Sequence, residues 1–511
     1  KMAKSSKSWL KEFVENMIVE YCSGTSRRDS VAEEILKAVV KKCPLLFVME
    51  LPELACKSAE TLWGQRVSRK HFRYDGYDHN NVRAYGLSDN ADHFDNNENG
   101  VYNNTFFWYV MRCDFVKGLE WAISFVNNAV QTFAENKPDE ITNIEIFFPK
   151  ENKKRVYLGN GWLWMADIME HNLPVVLTDI VFVIKKTVIN SMRNSSDSTY
   201  IKGLAEYVKN TIYEKANNVL LLSIIEAIGM NFQKEMPGYA LELASSMELI
   251  YFDIHRSGEF ISNPTKELLE KHIMLSMGVP EITRRYEKDE KCACNLQQYF
   301  ANSYLYGDDG IKNRCHVILD YLYSIYDEKT YSNENLQIQK MDFRDAAVTK
   351  IDEKTIMIEP QIKGEAQKII KNNEVTNEPI LHLNETINYL IEDINEKKAN
   401  ADRIITVIDT LCEKMKGDYR IEMQFEKVLV TFIASALITD EQRNKLVEEW
   451  IRRVKKIFLN QSYVAEVNMV IALWEQLNKD INNDLKQQIL LMILESIIND
   501  DNSGLISQIA E

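Results

Sequence analysis

Apolar residues recur at spacings of three and four along most of this chain, and this periodicity constrains its fold more than any other feature. Within Ser30–Lys42, one helix face collects Val31, Ile35, Leu36, Val39 and Val40. Helix breakers are scarce, with 18 Gly and 10 Pro among 511 residues, and such scarcity favours long helices. We therefore predict a mainly α fold, an irregular helical-repeat or solenoid array in which short turns join successive helices.

The same periodicity predicts where the helices lie. In the first half of the chain they are Ser30–Lys42, Leu45–Leu62, Phe106–Glu135, Val175–Arg193, Tyr200–Ala216, Asn218–Met230 and Pro237–Glu248. They continue as Thr265–Met277, Glu281–Ala301 and Ile311–Tyr326. A second helical array follows at Leu383–Lys398, Ala401–Lys416, Ile421–Ile438, Asp440–Phe458, Tyr463–Leu477 and Asn483–Asn499.

Three segments depart from the helical pattern. Ile141–Leu158 alternates apolar and polar residues around a polar turn, which predicts a β-hairpin inserted into the array. Gln65–Gly100 is rich in Asp, Asn, Tyr and His and is predicted to be one long loop. Tyr331–Val375 is predicted to be an irregular junction with short strands near Lys354–Ile358.

A chain of 511 residues is too long for one ordinary hydrophobic core. We divide it at the departures from helical pattern. The predicted domains are an N-terminal helical unit (1–136), a hairpin with a helical array (137–330), the irregular junction (331–380) and a C-terminal helical array (381–511).

Composition narrows the class of protein. Hydrophobic residues make up 45% of the chain, too many for a wholly disordered protein, and the formal charge of −15 disfavours nucleic acid as a partner. The eight cysteines are scattered, as free thiols are in cytosolic proteins. The apolar stretches Val219–Ile225 and Val428–Ile438 are shorter than the ~20 residues of a membrane span, and Lys1–Lys11 lacks the apolar core of a signal peptide. We expect a cytoplasmic protein with no membrane partner.

No local motif of catalysis is present in the sequence. It contains no P-loop, H-E-x-x-H, G-x-S-x-G or paired C-x-x-C pattern. Gly307–Lys312 is the nearest approximation to a phosphate-binding loop, and its two aspartates would repel phosphate where N–H donors are needed. We therefore predict no cofactor and no catalytic residue, and we expect this chain alone neither to bind nor to hydrolyse ATP.

Two groups of residues could hold a metal ion. The first lies in the predicted loop and comprises His71, Asp75, Asp78, His79, Asp89, Asp92, His93 and Asp95. The second comprises Cys292, Cys294, Cys315 and His316, with a C-x-C spacing that is atypical of structural zinc. We favour a solvated or partner-contacting loop for the first group and core side chains for the second, so no metal site is assigned. The alternative is a metal-dependent enzyme in which the loop meets His255 or His316 in space.

Several short segments together resemble one protein family. They are Asn103–Arg112, Gly118–Ala129, the hairpin piece Ile144–Pro149, Gly161–Trp164, Lys340–Arg344 and Ile358–Pro360. This spaced set is similar to the region that follows the NTPase module in large bacterial STAND (NACHT-like) ATPases of antiphage defence, the Avs type. The resemblance implies a helical sensor region that binds a protein ligand, such as a phage protein, and signals to an NTPase. The Walker A loop of such proteins is absent from this sequence, so the resemblance implies either the sensor side of a larger protein or a stand-alone relative that lost the NTPase.

The long polar loop is the predicted contact surface for a protein partner. It carries aromatic and Arg side chains of the types that most often anchor protein interfaces, namely Phe72, Arg73, Tyr74, Tyr77, Arg83, Tyr85 and Phe94. The structural alternative is that these aromatic rings clamp the loop onto neighbouring helices. A homo-oligomer is compatible with this interpretation, and a nucleic-acid-binding helical protein is the third alternative for function.

Overall fold

The structure is a computed structural model that describes residues 2–23, 29–64, 82–91, 105–166, 173–262, 294–350 and 356–372, with the single residues Asn483, Asp484, Gln487 and Leu491. Contacts within the chain divide it into two compact units. The first is Lys1–Phe260 with Thr283–Gln367, and the second is Ile261–Ile282 with Lys368–Glu511. Most of the described residues belong to the first unit.

Five helical segments open the chain. They are α1 (Met2–Ser23), α2 (Asp29–Lys37), a π-helix that continues α2 (Ala38–Lys42), α3 (Pro44–Glu50) and α4 (Pro52–Trp63). Sequence periodicity did not predict α1, although Val14, Ile18 and Tyr21 form a buried face on it. The single predicted helix Leu45–Leu62 is wrong. Pro52 has no N–H to continue α3, and the chain turns at Leu51 (φ −141°, ψ 58°) before α4 begins.

The predicted helix Phe106–Glu135 is also two helices, α5 (Phe106–Cys113) and α6 (Phe115–Asn136). Asp114 separates them with extended backbone, and its carboxylate accepts a hydrogen bond from the N–H of Lys117. This is an N-cap, which satisfies one of the N–H groups left free at a helix start.

The described part of the predicted loop Gln65–Gly100 is more regular than expected. It contains two short 3-10 helices, Val82–Tyr85 and Asp89–Ala91, and Leu87 forms a β-bridge with Gly64 at the end of α4. Val82, Ala84 and Tyr85 are buried. Burial explains the regularity, because backbone polar groups removed from water need partners of their own.

Strands β1 (Thr142–Phe148) and β2 (Lys153–Gly159) confirm the predicted hairpin. They pair antiparallel, with Thr142 opposite Gly159 and Phe148 opposite Lys153. One face of the hairpin is buried, and it carries Ile144, Ile146, Phe148 and Tyr157. The hairpin is therefore part of the core.

Helices α7 (Gly161–Trp164), α8 (Val175–Arg193), α9 (Ser198–Lys215), α10 (Val219–Asn231) and α11 (Met247–Ser262) follow the hairpin. The helix predicted for Pro237–Glu248 is wrong. Gly238 has φ +76°, outside the helical region, and a 3-10 helix at Leu241–Ser245 leads into α11 instead. Helix α10 is buried on almost every side and lies at the centre of the core.

The last described elements are α12 (Leu296–Tyr306), α13 (Asp309–Ile325), α14 (Ser332–Met341), β3 (Ala347–Lys350), β4 (Ile356–Glu359) and α15 (364–372). Residues 281–293 of the predicted helix Glu281–Ala301 lie outside the described residues. Helix α12 begins at Leu296, where Asn295 and Gln298 form a capping box, and it continues beyond Ala301 to Tyr306. The junction is more regular than predicted, since β3 and β4 form a second antiparallel hairpin.

The mainly α fold with an inserted β-hairpin is confirmed. One hydrophobic cluster runs from Val14 on α1 to Met341 on α14. In the part of the chain that the structure describes, no helix is long and apolar enough to cross a membrane. The predicted domain limits stay predictions. The predicted helices Thr265–Met277 and those after Leu383 lie outside the described residues, apart from the four single positions.

Candidate protein-binding groove

Two of the residues predicted to contact a partner are described. Tyr85 is only 3% exposed, and its ring stacks on Phe133 of α6 with 4.4 Å between ring centroids. Almost none of the ring is accessible to a partner in this position. We therefore correct the prediction for Tyr85: its ring packs the segment onto α6. Arg83 is exposed on the same short helix. Phe72, Arg73, Tyr74, Tyr77 and Phe94 lie outside the described residues.

The described metal candidates are engaged in packing. Cys315 is fully buried, and burial raises the pKa of its thiol to about 12, so it stays protonated. Nε2 of the neighbouring His316 lies 3.2 Å from the hydroxyl of Tyr304. Burial also raises the pKa of the Cys294 thiol, to about 11. Across the described ranges, no three His, Cys, Asp or Glu side chains are grouped so as to hold a metal ion.

In the segment Gly307–Lys312, the nearest approximation to a phosphate-binding loop, the side chain of Asp308 occupies the helix start. Asp308 is the N-cap of α13, and its carboxylate accepts a hydrogen bond from the N–H of Ile311 at 2.9 Å. The donor that a phosphate would need at this helix start is therefore already occupied by a negative group.

Two of the segments on which the predicted family resemblance rests contain contacts between helices. Asn127 of α6 donates to the backbone oxygen of Lys215 and accepts hydrogen bonds from the N–H of Asn217 and the side chain of Asn218, which holds the turn between α9 and α10. The guanidinium of Arg344 binds both carboxylate oxygens of Asp342 and also Asp320 on α13. The contacts of Asn127 hold α6 against this turn, whereas the ion pair of Arg344 with Asp320 is an exposed link between the chain after α14 and α13.

An apolar groove lies among the N-terminal helices. Helices α1 and α2 pack together, and each turns a row of side chains spaced by three and four towards the gap between them. The lining residues are Leu10, Phe13 and Val14 of α1, then Val31, Glu34, Ile35, Ala38, Val39 and Lys42 of α2 and its π-helix, and Phe47 of α3. They enclose a cavity of about 500 Å³.

The π-helix shapes one wall of the groove. Its wide turn is closed by a hydrogen bond of 2.9 Å from the N–H of Cys43 to the backbone oxygen of Ala38, five residues earlier. Ala38 and Lys42 then both face the groove while Val40 is buried in the core. Turns of this kind recur at functional sites in other proteins.

Apolar surface continues outside the groove. Trp9, 63% exposed, stacks on Phe13 with ring centroids 5.4 Å apart and extends the α1 wall. Val31 is 57% exposed on the opposite wall. Helix α3 adds Leu45, Leu46 and Met49, all of them exposed. Scattered single apolar residues on a surface are ordinary, whereas a groove with apolar walls and apolar shoulders is typical of an interaction site.

A buried group of charged residues lies around Asp253, away from the groove. Asp253 of α11 is fully buried and accepts hydrogen bonds from Nε1 of Trp164, from Nε of Arg256 and from the N–H of Leu296. Arg256 also binds Glu226 of α10 at 2.9 Å. This network joins four helices. Its role is structural, because both carboxylate oxygens of Asp253 accept hydrogen bonds from groups of the protein.

Comparison with protein families and with curated proteins gives no match for this chain.

Sequence reasoning missed the groove because it missed α1. A signal was present, since Leu10, Phe13, Val14, Met17 and Ile18 follow the same three-and-four spacing that identified the later helices. The sequence pattern does not show that the apolar side chains of α1 and α2 face each other and leave space between them.

Proposed function

We propose that this chain is a protein-recognition unit and that a protein ligand docks in the groove between α1 and α2. The observation that carries the proposal is the apolar surface of the groove and its shoulders, which no described residue covers. Large side chains buried in such concave apolar sites supply most of the free energy of many protein complexes. The loop residues Phe72, Arg73, Tyr74, Tyr77, Arg83 and Phe94 stay candidates for contact with the same ligand.

Within this proposal, the chain is the sensor or scaffold region of a STAND-type antiviral defence NTPase, and its ligand is a protein such as a phage protein. The support is the resemblance of the segments between Asn103 and Pro360, together with a helical framework of the kind that presents extended binding surfaces. Those segments would hold the shape of the sensor, because two of them contain contacts between helices.

A site-specific crosslinker tests the recognition surface. The photoreactive residue p-benzoylphenylalanine is placed at Val31 in the groove wall or, as a matched control, at Val116 on α6, which is also exposed. The full chain is expressed in bacteria and irradiated before and during phage infection. We expect a discrete crosslinked product at Val31 and none at Val116. Equal crosslinking at both positions, or none at Val31, would contradict the proposal.

The defence assignment has a separate test. The reading frame around the gene segment is sequenced, and the whole gene is assayed for plaque reduction. A P-loop in the same frame and a fall in plaque number that Val31→Glu abolishes would support the assignment. A complete gene without an NTPase module, together with unchanged plaque number, would overturn it and leave the recognition surface standing.

A further inference from the structure

Four buried polar atoms in one part of the core have no hydrogen-bond partner in the protein. They are the hydroxyl of Tyr213 on α9, Oε2 of Glu242 on the 3-10 helix Leu241–Ser245, Oγ of Ser303 on α12 and Nε of Arg314 on α13. Among the described residues, no other buried side-chain nitrogen or oxygen lacks a partner. A polar group removed from water without a hydrogen bond destabilises a folded protein, so these four atoms need a physical explanation.

The first of these atoms lie around the carboxylate of Glu242. The guanidinium of Arg314 donates to Oε1 of this carboxylate. Nζ of Lys209 forms an ion pair of 3.4 Å with Oε2 and gives its hydrogen bond to the backbone oxygen of Tyr239. Burial raises the pKa of Tyr213, and the charge of Glu242 raises it further, so the phenol lies near the same carboxylate.

Ser303 reaches the same region from α12. One helical turn before it, the hydroxyl of Tyr299 accepts a hydrogen bond of 3.1 Å from the N–H of Ala240, two residues before Glu242. Both Ser303 and Tyr299 are fully buried. The four atoms therefore belong to four elements that meet in one part of the core.

The chemistry of these atoms favours a small neutral ligand that both donates and accepts hydrogen bonds. Nε of Arg314 can only donate, Oε2 of Glu242 can only accept, and the hydroxyls of Tyr213 and Ser303 can do either. The carboxylate would repel an anion, and the cations Lys209 and Arg314 would repel a metal ion. Water fits both kinds of atom, and a buried water typically bonds about three polar groups that have no other partner.

We propose that ordered water is bound in the core among Tyr213, Glu242, Ser303 and Arg314 as a part of the folded structure. Nε of Arg314 donates to a water oxygen, and Oε2 of Glu242 accepts a water proton. The two hydroxyls complete the hydrogen bonds of the bound water. Water thus joins α9, the 3-10 helix, α12 and α13 where direct hydrogen bonds are missing, and bridges of this kind are nearly as favourable as direct ones.

Deletion of one hydroxyl tests the proposal, because a hydrated and a dry hydroxyl give opposite signs. Tyr213→Phe removes a hydroxyl that has no partner in the protein. If water binds it, the variant loses a hydrogen bond, and the equilibrium constant for unfolding rises about threefold to tenfold. If the hydroxyl is dry, the variant loses a buried unpaired group, and the constant stays the same or falls.

Urea denaturation of the full chain measures this constant. Tyr239→Phe is the matched control, because the hydroxyl of Tyr239 donates directly to the backbone oxygen of Ala205 at 2.6 Å. Its loss should raise the constant whether or not water is bound near Tyr213. A Tyr213→Phe variant as stable as wild type, or more stable, beside a destabilised Tyr239→Phe would overturn the proposal.

A high-resolution crystal structure of the full chain provides the direct observation. We expect electron density for water within hydrogen-bond distance of at least two of the four atoms, and loss of its contact with residue 213 in Tyr213→Phe. Direct hydrogen bonds among the four groups, with no density between them, would overturn the proposal. An anomalous signal at this place after a bromide soak would also overturn it, because the site would then hold an anion. Neither experiment depends on the groove between α1 and α2.

Discussion

At the scale of single residues, Tyr85 shows how a side chain of interface type can serve the core. Tyrosine is enriched at interfaces because one end is apolar and the other polar. The same property lets it anchor a segment to a helix, and here its ring lies flat against Phe133. Sequence alone leaves both roles open, since residue type and local pattern are identical in the two cases.

We predict that Tyr85→Ala lowers the free energy of unfolding by about 3–5 kcal/mol, because it removes a buried, stacked ring and leaves a cavity. Urea denaturation followed by circular dichroism measures the change. Tyr85→Phe keeps the ring and is the control, with an expected change below about 1.5 kcal/mol. A Tyr85→Ala variant as stable as wild type would show that the ring does not clamp this segment.

A buried carboxylate sets a second prediction at this scale. Burial alone would raise the pKa of Glu242, but its ion pairs with Lys209 and Arg314 hold that pKa below the ordinary value of 4.5. A group with a lowered pKa in the folded state stabilises the protein above its unfolded pKa, and this contribution is lost as the pH falls through the folded pKa. The wild-type melting temperature should therefore fall as the pH drops below about 4.5.

Glu242→Gln removes this titration and leaves two cations without their anion. We expect the variant to be less stable than wild type at pH 7 by about 3 kcal/mol. We also expect a shallower loss of melting temperature between roughly pH 5 and pH 3. Scanning calorimetry across this range measures both. Parallel wild-type and variant curves would exclude Glu242 as a source of the acid sensitivity.

At the scale of helices and strands, periodicity located most elements but not the places where they break. Helices α8, α9 and α10 were predicted within two residues of their ends, because their apolar rows are long and because Asp197 and Asn218 cap the starts of α9 and α10. The breaks at Leu51 and Asp114 were missed because apolar spacing continues across both. A proline at Pro52 and a capping aspartate were the signals, and each competes with periodicity in the same window.

The buried network around Asp253 could not be predicted from the sequence, because its residues are far apart in the chain. It gives the third prediction. Asp253→Ala should lower the free energy of unfolding by about 3–5 kcal/mol, because Arg256, Trp164 and the N–H of Leu296 all lose their acceptor in the interior. Urea denaturation provides the measurement. Asp320→Ala removes an exposed carboxylate paired with Arg344 and is the control, with an expected change within about 1 kcal/mol. Similar losses for the two variants would mean that the network around Asp253 contributes no more than an exposed ion pair.

At the scale of the whole molecule, overall charge and local geometry act against the binding of nucleotides. The formal charge of −15 repels a polyanion at long range. At short range, the carboxylate of Asp308 occupies the start of α13, where the loop Gly307–Lys312 would otherwise present N–H groups. The overall charge and the carboxylate of Asp308 both disfavour the binding of a phosphate group. The structure thus adds a local reason to the prediction made from the sequence.

We therefore predict that calorimetric titration of the full chain with magnesium ATP gives no binding heat at micromolar concentrations of protein. Asp308→Ser replaces the capping carboxylate with an uncharged capping hydroxyl, so it tests whether repulsion alone prevents binding. We expect no heat from this variant either, because one helix start without a Gly-rich cradle contacts too little of a triphosphate. Micromolar affinity in the wild-type chain, lost in Lys312→Ala, would show instead that this loop binds phosphate and that the chain carries a nucleotide site of its own.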